Sequence, residues 1–465
     1  MAKLLHQDIG APGKLHENLL HLRNQKRLLF DPLTTPIEGK CAFSASNHFK
    51  PNNLSPVTLL LLACWREPMS CISDIFVTVN GSHSFQPPDF ENGDQRGPCP
   101  GLNALANHGY ISRDGIAGQK YNIPTTVAWE EPKTNGTVFG MSIELATVLS
   151  VMGTVGVGNP LSLDPGFSIG GKSTKVSNVL GNLLGLLGVP RGLEGSHNWI
   201  EGDSSNTRDD LYVTGDASTM NMDLFNEVDA LFETTDALTM EDIGDRASRR
   251  LQDSISTNPY FYYGPYTGFV ARNAGYLFSG RLLSNHSIEY PGGGHLTRDV
   301  FRSFWGVVTN SQGELEYKRG WERIPENWYR INIDYSLVEL NVDLVIWTLK
   351  HPELASIGGN LGKVNTFAGV DIANITSGVL NAASLLEGNN LVCFTLNIVK
   401  TFVPNSLSGL FETLEKPLQL INDAVLDPLL DLDCPAFKDL EAGGTDIISG
   451  LLEKYPGASK SGYAL

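Results

Sequence analysis

The sequence predicts a mostly α-helical protein in which a single multi-helix domain covers residues 84–440. Apolar residues recur at helical spacing in several long segments, and loops rich in Gly and Pro join these segments. Few segments alternate apolar and polar residues in the way that half-buried strands do. No repeat of 20–50 residues is present. Hydrophobic residues make up 41% of the 465 residues, which is enough for a sizeable core.

Individual helices are predicted from periodicity and from end signals. After Cys99, Leu102, Leu105 and Ala106 recur at helical spacing, and Gly109 provides a glycine cap after His108. Residues 138–155 are apolar almost all round, which predicts a buried helix. Further helices are predicted over residues 175–187, 221–232, 240–253, 268–283, 297–305, 335–350 and 417–432.

The two ends of the chain carry little signal. Residues 1–83 lack periodicity and are predicted to be an irregular N-terminal extension, partly disordered or partly a gene-model artefact. The alternative for the apolar run 57–65 is a buried strand or helix within that extension. Residues 441–465 are predicted to form a C-terminal tail.

Composition excludes some classes of protein. The formal net charge of −17 argues against nucleic-acid binding, which needs a basic face. It suits neutral or cationic small-molecule partners. No run reaches 18 apolar residues, so no membrane span is expected.

The six cysteines lack the paired spacing of a zinc site. Cys393 and Cys434 lie far from the other four, and a disulfide between them would imply an oxidising compartment. Five Asn-X-Ser/Thr sequons point weakly the same way. The expected location is extracellular or within the secretory pathway, although no N-terminal signal peptide is evident.

Cys99 lies between Pro98 and Pro100, at the start of the first predicted helix. Proline is tolerated at the first helical position, and the free N–H groups and dipole of a helix N-terminus favour an anion. We therefore predict a thiolate that serves as a nucleophile or a metal ligand.

A second stretch follows 102 residues after Cys99, where Glu201-Gly-Asp-Ser-Ser205 offers acids and hydroxyls around a glycine. Such oxygens are the ligands that Mg²⁺ or Ca²⁺ prefers. The alternative interpretation is an Asp-capped loop that precedes a helix.

Together these stretches resemble the fungal haem-thiolate peroxidases, the chloroperoxidase and unspecific peroxygenase family. The Pro-Cys-Pro run, the Glu-Gly-Asp run, residues 250–259 (Arg-Leu-Gln-Asp-Ser-Ile-Ser-Thr-Asn-Pro) and residues 359–367 match in order. The spacing of Cys393 and Cys434 resembles the C-terminal disulfide of the long peroxygenases. The matches extend from residue 96 to residue 434.

The resemblance implies a chloroperoxidase-like fold that encloses haem b, with Cys99 as the axial ligand of the iron. It also implies a Mg²⁺ (or Ca²⁺) at a haem propionate, held by the Glu201 carboxylate, the Gly202 carbonyl and the Ser205 hydroxyl. The implied function is an H₂O₂-dependent peroxidase or peroxygenase that oxidises, halogenates or oxygenates small organic substrates. A thiolate ligand favours cleavage of the O–O bond.

One part of the family pattern is missing. The peroxygenases carry an arginine and a glutamate, seven residues apart, after the Thr-Asn-Pro segment, and the positions here are Thr267 and Ala274. Neither can carry the peroxide proton. The next ionisable residues are Arg272, His286 and Glu289, of which Glu289 is the candidate replacement. The alternatives are that Glu289 and His286 are surface residues. His108 and His197 are interpreted as structural.

Two other functions stay open. A family member that binds haem but has lost peroxide turnover would explain Thr267 and Ala274. A thiol peroxidase could use Cys99 directly without haem, but it usually needs a second, resolving cysteine. The sequence leaves the substrate, the reaction type and the oligomeric state open.

Overall fold

A computed structural model describes residues 75–118, 137–159, 162, 164–177, 190–287, 294–376, 379–381, 383–407, 429, 432–435, 441–442 and 445–461. These residues belong to a compact unit that spans Asp74–Leu465. The mostly α-helical fold is confirmed. The α-helices are α1 Pro100–Asn107, α2 Ile143–Val157, α3 Leu211–Thr214, α4 Met222–Asp229, α5 Met240–Thr257, α6 Asn273–Leu282, α7 Arg298–Phe304, α8 Leu337–Lys350, α9 Ile372–Ile375, α10 Asn390–Leu407 and α11 Ile447–Lys454.

The strands are short and antiparallel, and they form small local hairpins or pair distant segments rather than build a large sheet. Ile75–Phe76 pairs with Tyr329–Arg330, Ile116–Gly118 with Gly166–Ser168, Ala237–Leu238 with Leu296–Thr297, Val307–Thr309 with Leu315–Tyr317, and Glu441–Ala442 with Thr445–Asp446. Gly358–Gly359 lies between Tyr262–Tyr263 and Ala368–Gly369 in a three-stranded sheet. Turns of 3₁₀ helix occur at Gly81–His83, Phe90–Asn92, Leu193–Gly195, Ala230–Glu233, Pro352–Ala355, Ser384–Leu386 and Ala458–Lys460.

Helix ends follow local side-chain chemistry. The predicted helix over 138–155 begins later, at Ile143, because Thr137 exchanges two hydrogen bonds with the backbone of Met141 and so forms a turn. Ser142 then accepts from the Leu145 N–H as the N-cap. The helix predicted over 240–253 extends to Thr257 and begins with a capping box between Thr239 and Asp242.

A π-helix precedes α6 and was not predicted. Over Thr267–Arg272 the N–H of Ala271 donates to the Tyr266 carbonyl, five residues earlier. The helices α10 and α11 were also missed. The helix predicted over 417–432 and most of the one over 175–187 lie outside the described residues.

The disulfide between Cys393 and Cys434 is present, with an S–S distance of 2.06 Å. It joins the first half of α10 to the segment after residue 429. Residues at the C-terminal end pack onto the rest of the unit, since Tyr455 is fully buried and its hydroxyl donates to the Ala368 carbonyl.

Candidate active site

One cavity of about 380 Å³ collects the predicted ligand residues. Cys99, Glu201, Gly202 and Ser205 all line it. Most of its remaining wall is apolar and comes from α1, α2, the π-helix, α6 and the loop residues beside them, including Leu102, Phe139, Leu145, Val148, Val270 and Leu283. The fold therefore brings the cysteine and the oxygen-rich loop to a single apolar space of the size that small-molecule and cofactor sites have.

Cys99 is the N-cap of α1, with extended backbone angles of −89° and 108°, and Pro100 occupies the first helical position as predicted. Burial raises the pKa of the Cys99 thiol and outweighs the N–H groups of Leu102 and Gly101, which donate to the sulfur and lower it. The helix end therefore does not by itself lower the thiol pKa, and the predicted thiolate stays a prediction. A bound metal ion would deprotonate the sulfur directly.

The loop that carries Cys99 is fixed to its own helix by two buried asparagines. The Asn103 side chain accepts from the Gly97 N–H at 3.0 Å and donates to the Gly97 carbonyl at 2.9 Å. The Asn107 side chain accepts from Arg96 and donates to the carbonyls of Gly320 and Glu322. These bonds hold the backbone two residues before Cys99 and so position the sulfur.

Only one of the two oxygens of the Glu201 carboxylate has a hydrogen-bond partner among the described residues. Its Oε2 lies 2.8 Å from His197 Nδ1, whereas its Oε1 is buried and has no hydrogen-bond partner among the described residues. Burial alone would lower the pKa of His197, but the nearby carboxylates of Asp203 and Glu201 raise it to about 9. A protonated His197 orients one carboxylate oxygen and leaves the other toward the cavity for a cation.

Residues 250–259, a stretch that carried the family resemblance, hold the 201–210 loop in place. Arg250 Nε donates to the Ser205 carbonyl at 2.9 Å. The Asn258 side chain donates to Asp203 at 3.1 Å and to Asp210 at 3.0 Å. Burial and the neighbouring Asp210 raise the pKa of Asp203 well above its ordinary value. The second and third matching stretches are thus one hydrogen-bonded unit.

The π-helix and α6 supply another part of the wall, where Ala274 lines the cavity and Thr267 is buried. Arg272 is held by the carbonyls of Ser204 and Ala247. The hydroxyl of Tyr276 donates to the Ser204 carbonyl, and that of Tyr266 to the Met152 sulfur.

Glu289 lies outside the described residues. His286 is buried with its Nε2 3.0 Å from the Arg281 carbonyl, so the surface interpretation of His286 was wrong.

His108 is also buried. Its Nδ1 lies 2.7 Å from the His83 carbonyl, and its Nε2 accepts from the Ile324 N–H at 3.1 Å. This pattern requires a neutral ring with the proton on Nδ1. Burial lowers the pKa of His108 to about 4, in agreement with the structural role predicted for it.

Sequence reasoning missed Arg208, a buried residue of the cavity wall. It lies three residues after Ser205, but only acids and hydroxyls were considered there. The one sequence signal was an arginine flanked by Asp203, Asp209 and Asp210, which does not reveal its missing partners.

Within the described part of the chain, no three or more His, Cys, Asp or Glu side chains cluster as a metal site. A cation at Glu201 would therefore rely on one carboxylate with carbonyl and hydroxyl oxygens. The same residues include no helix long and apolar enough to cross a membrane.

Comparison with known proteins agrees with this geometry. Residues 83–333 match the family described as "Peroxidase, family 2". The chain is 55% identical to the aromatic peroxidase fscJ of Fusarium equiseti over 385 residues, and this aligned region covers 82% of this chain and 85% of the relative. It is 36% identical to the dothistromin biosynthesis peroxidase dotB of Dothistroma septosporum over 80% of this chain and 86% of that one. An aromatic peroxygenase of Coprinellus radians is 33% identical over 46% of this chain and 76% of its own. The chain is a peroxidase of family 2, the fungal haem-thiolate peroxidases, for which a haem cofactor and hydrogen peroxide are implied.

Proposed function

We propose that this peroxidase binds haem b through Cys99 and oxidises aromatic substrates with hydrogen peroxide. The observation that carries the proposal is the single cavity that joins a cysteine at a helix N-terminus, an apolar wall and a buried unpaired carboxylate oxygen. Haem has an apolar face and two carboxylates, and it needs this combination.

The residues present fit the cofactor. Cys99 would hold the iron, and the N–H groups of Gly101 and Leu102 would tune the sulfur. Glu201 Oε1, the Gly202 carbonyl and the Ser205 hydroxyl would hold Mg²⁺ or Ca²⁺ near a propionate. These oxygens suit a hard cation, and the unpaired Oε1 is the atom that most needs one. When bound, the haem supplies the two-electron chemistry with peroxide.

The chain's own residues orient the reactants and exclude water. The apolar wall favours a flat, apolar substrate, as do the words "aromatic peroxidase" and "aromatic peroxygenase" in the names of relatives. In oxidation, peroxide takes up two electrons and two protons and becomes two water molecules, while the substrate gives up the two electrons. In oxygenation, one peroxide oxygen enters the substrate and the other leaves as water. We propose Glu289 as the base that takes the proton from one peroxide oxygen and returns it to the other.

The test is peroxide-dependent oxidation of a phenolic dye and of an apolar aromatic by the haem-loaded protein. We expect turnover by wild type and its loss in Cys99→Ala, with Thr309→Ala, at the exposed end of a strand, as the matched control. Equal turnover in wild type and Cys99→Ala would contradict the assignment.

A haem-binding protein without turnover is the second candidate, because Thr267 and Ala274 occupy the positions of the family's acid–base pair. It predicts a normal haem spectrum that peroxide does not change. The third possibility, direct thiol chemistry, gains no support, since the other cysteines of the described residues, Cys393 and Cys434, are joined to each other.

We also propose an extracellular or secretory location, supported by the disulfide. Asn80 and Asn374 of the sequons are exposed, whereas Asn285 is buried and accepts from the Tyr329 N–H. Glycans are therefore expected at Asn80 or Asn374 but not at Asn285. A mobility shift on endoglycosidase treatment that Asn285→Gln leaves unchanged would support this.

A further inference from the structure

Arg208 is a buried cation whose hydrogen bonds are incomplete. Only 3% of its surface is exposed, and it belongs to the cavity wall. Its Nη1 donates to the Thr207 hydroxyl at 2.6 Å. Its Nε and Nη2 have no hydrogen-bond partner among the described residues. Buried N–H donors without an acceptor destabilise a fold, so a ligand that supplies an acceptor for these two donors would bind favourably here.

Other buried arginines of the same region do not share this feature. Arg250 donates to the Ser205 carbonyl and to Asp253. Arg272 donates to the carbonyls of Ser204 and Ala247. Arg246 donates to Asn206 and Glu227. Among these four arginines, Arg208 alone leaves buried donors without a partner in the described structure.

The nearest carboxylate, Glu322, does not complete the set. Its Oε1 lies 4.0 Å from Arg208 Nη2, beyond hydrogen-bond reach, and accepts instead from the Asn103 side chain at 3.0 Å. Its Oε2 has no partner within the described structure. Glu322 offsets the charge of Arg208 and leaves its donors unused.

The position of Arg208 is fixed. Thr207, which accepts from Arg208, also accepts from the indole N–H of Trp305 at 3.0 Å, and Trp305 lines the same cavity. Arg208 follows Ser205 by three residues on one loop, and it lines the same cavity as the proposed cation ligands. The loop therefore places the proposed cation site and a fixed guanidinium group at the same cavity, where one ligand could contact both.

We propose that Arg208 binds a carboxylate of the cofactor through Nε and Nη2. The planar guanidinium presents these two N–H groups side by side, which matches the two oxygens of a carboxylate and not a single sulfur atom. On the proposed function, on which this inference rests, the carboxylate is one haem propionate, and the other lies near the cation at Glu201.

The experiment measures equilibrium binding of protohaem and of protohaem dimethyl ester to the apoprotein by Soret titration. Esterification removes the carboxylate charge, so wild type should bind the ester far more weakly. In Arg208→Met we expect the acid-to-ester affinity ratio to fall by about tenfold or more, the effect of a charge-assisted pair. Arg208→Lys should give an intermediate ratio because it keeps the charge and loses the fork. Arg302→Met, which breaks a pair with Asp229 away from the cavity, should keep the wild-type ratio.

The two protohaem monomethyl esters extend the test to unaltered protein, which matters if Arg208→Met fails to fold. We expect both monoesters to bind more weakly than protohaem, and chelation of divalent cations should abolish the penalty for one isomer only. An unchanged ratio in Arg208→Met, or a penalty that chelation abolishes for both isomers, would overturn the inference. A shifted reduction potential in Arg208→Met with an unchanged ratio would also overturn it, since Arg208 would then act on the sulfur. Wild-type protein that binds no protohaem would instead contradict the proposed function itself.

Discussion

The helix after Cys99 and the helical segment from Thr267 to Leu282 both border the cavity, but they are specified in different ways. The first begins at a proline and ends before Gly109, whose φ of +68° suits glycine. Asn103 bonds to Gly97 and Asn107 bonds to Arg96 within the same loop and helix, and Asn107 also bonds to the distant carbonyls of Gly320 and Glu322. The second begins as a π-helix, and its polar side chains bond to carbonyls of distant loops. Local chemistry thus sets the ends of the Cys99 helix, although long-range bonds to Gly320 and Glu322 also hold it, whereas the polar side chains of the other segment depend mainly on tertiary contacts.

The largest expected effect on stability comes from a substitution in the loop that carries Cys99. In Gly97→Ala the new Cβ would lie 2.0 Å from the Ile169 carbonyl oxygen, so the backbone must move. We expect a loss of about 3 kcal/mol or more in the free energy of unfolding, measured by denaturant titration. In the matched variant Gly101→Ala the nearest atoms to the Cβ are side-chain carbons, of Phe139 at 3.3 Å and of Leu283 at 3.8 Å, and the loss of stability should be much smaller. Similar losses in both variants would show that the loop is not tightly fixed.

The next effect concerns the acid–base group missing from the second segment. If Glu289 replaces the family's acid–base pair, Glu289→Gln should lower the rate at which the haem-loaded protein reacts with peroxide by about a hundredfold. A positioned proton carrier usually raises a rate by this factor or more. Stopped-flow absorbance of the haem on mixing with peroxide measures this rate. Glu314→Gln, an exposed glutamate in a hairpin turn, should react as wild type does. An unchanged rate in Glu289→Gln would remove Glu289 from the mechanism.

His108, at the end of the Cys99 helix, predicts a pH dependence. The fold holds it neutral with a pKa of about 4, below its ordinary value of 6.5. Protons therefore bind the unfolded chain first as the pH falls through 6.5. The contribution of His108 to the free energy of unfolding should be complete above that pH and smaller by about 1–2 kcal/mol at pH 5, whereas the raised pKa of His197 acts in the opposite direction. In parallel denaturant titrations, the free energy of unfolding at pH 5 minus that at pH 8 should be more positive in His108→Gln than in wild type by about this amount. An equal difference would mean that other groups cause it.

The smallest expected effect is a gain in stability. Nothing lies within 4 Å of a Cβ added at Gly275 in α6, so Gly275→Ala should raise the free energy of unfolding by about 0.5–1 kcal/mol through helix propensity. At Gly268 in the π-helix, an added Cβ would lie 2.6 Å from the Tyr263 ring, and Gly268→Ala should destabilise. A gain in both variants would mean that the π-helix packs more loosely than described.

Sequence reasoning was most successful where structure is local. The cap of the Cys99 helix depends on Pro100 and Gly109, and both are visible in the sequence. The late start of α2 depends on the Thr137 turn, which apolar periodicity does not reveal. The π-helix was unpredictable because its i to i−5 bonds form under tertiary packing.

The candidate site divides in the same way. Motifs located Cys99, Glu201, Gly202 and Ser205, and the structure brings them to one cavity. The thiol pKa could not be predicted, since it depends on burial by segments far away in the chain. Arg208 was missed for a related reason, because a lack of partners is visible only once all neighbours are placed.

The central claim is that Cys99 is the iron ligand, and the absorbance spectrum of the reduced, carbon-monoxide-bound protein tests it most directly. We predict a red-shifted Soret band of the thiolate type in wild type and its loss in Cys99→His, which keeps a ligand but removes the sulfur. A wild-type band without the red shift, or a red-shifted band that survives in Cys99→His, would contradict the account.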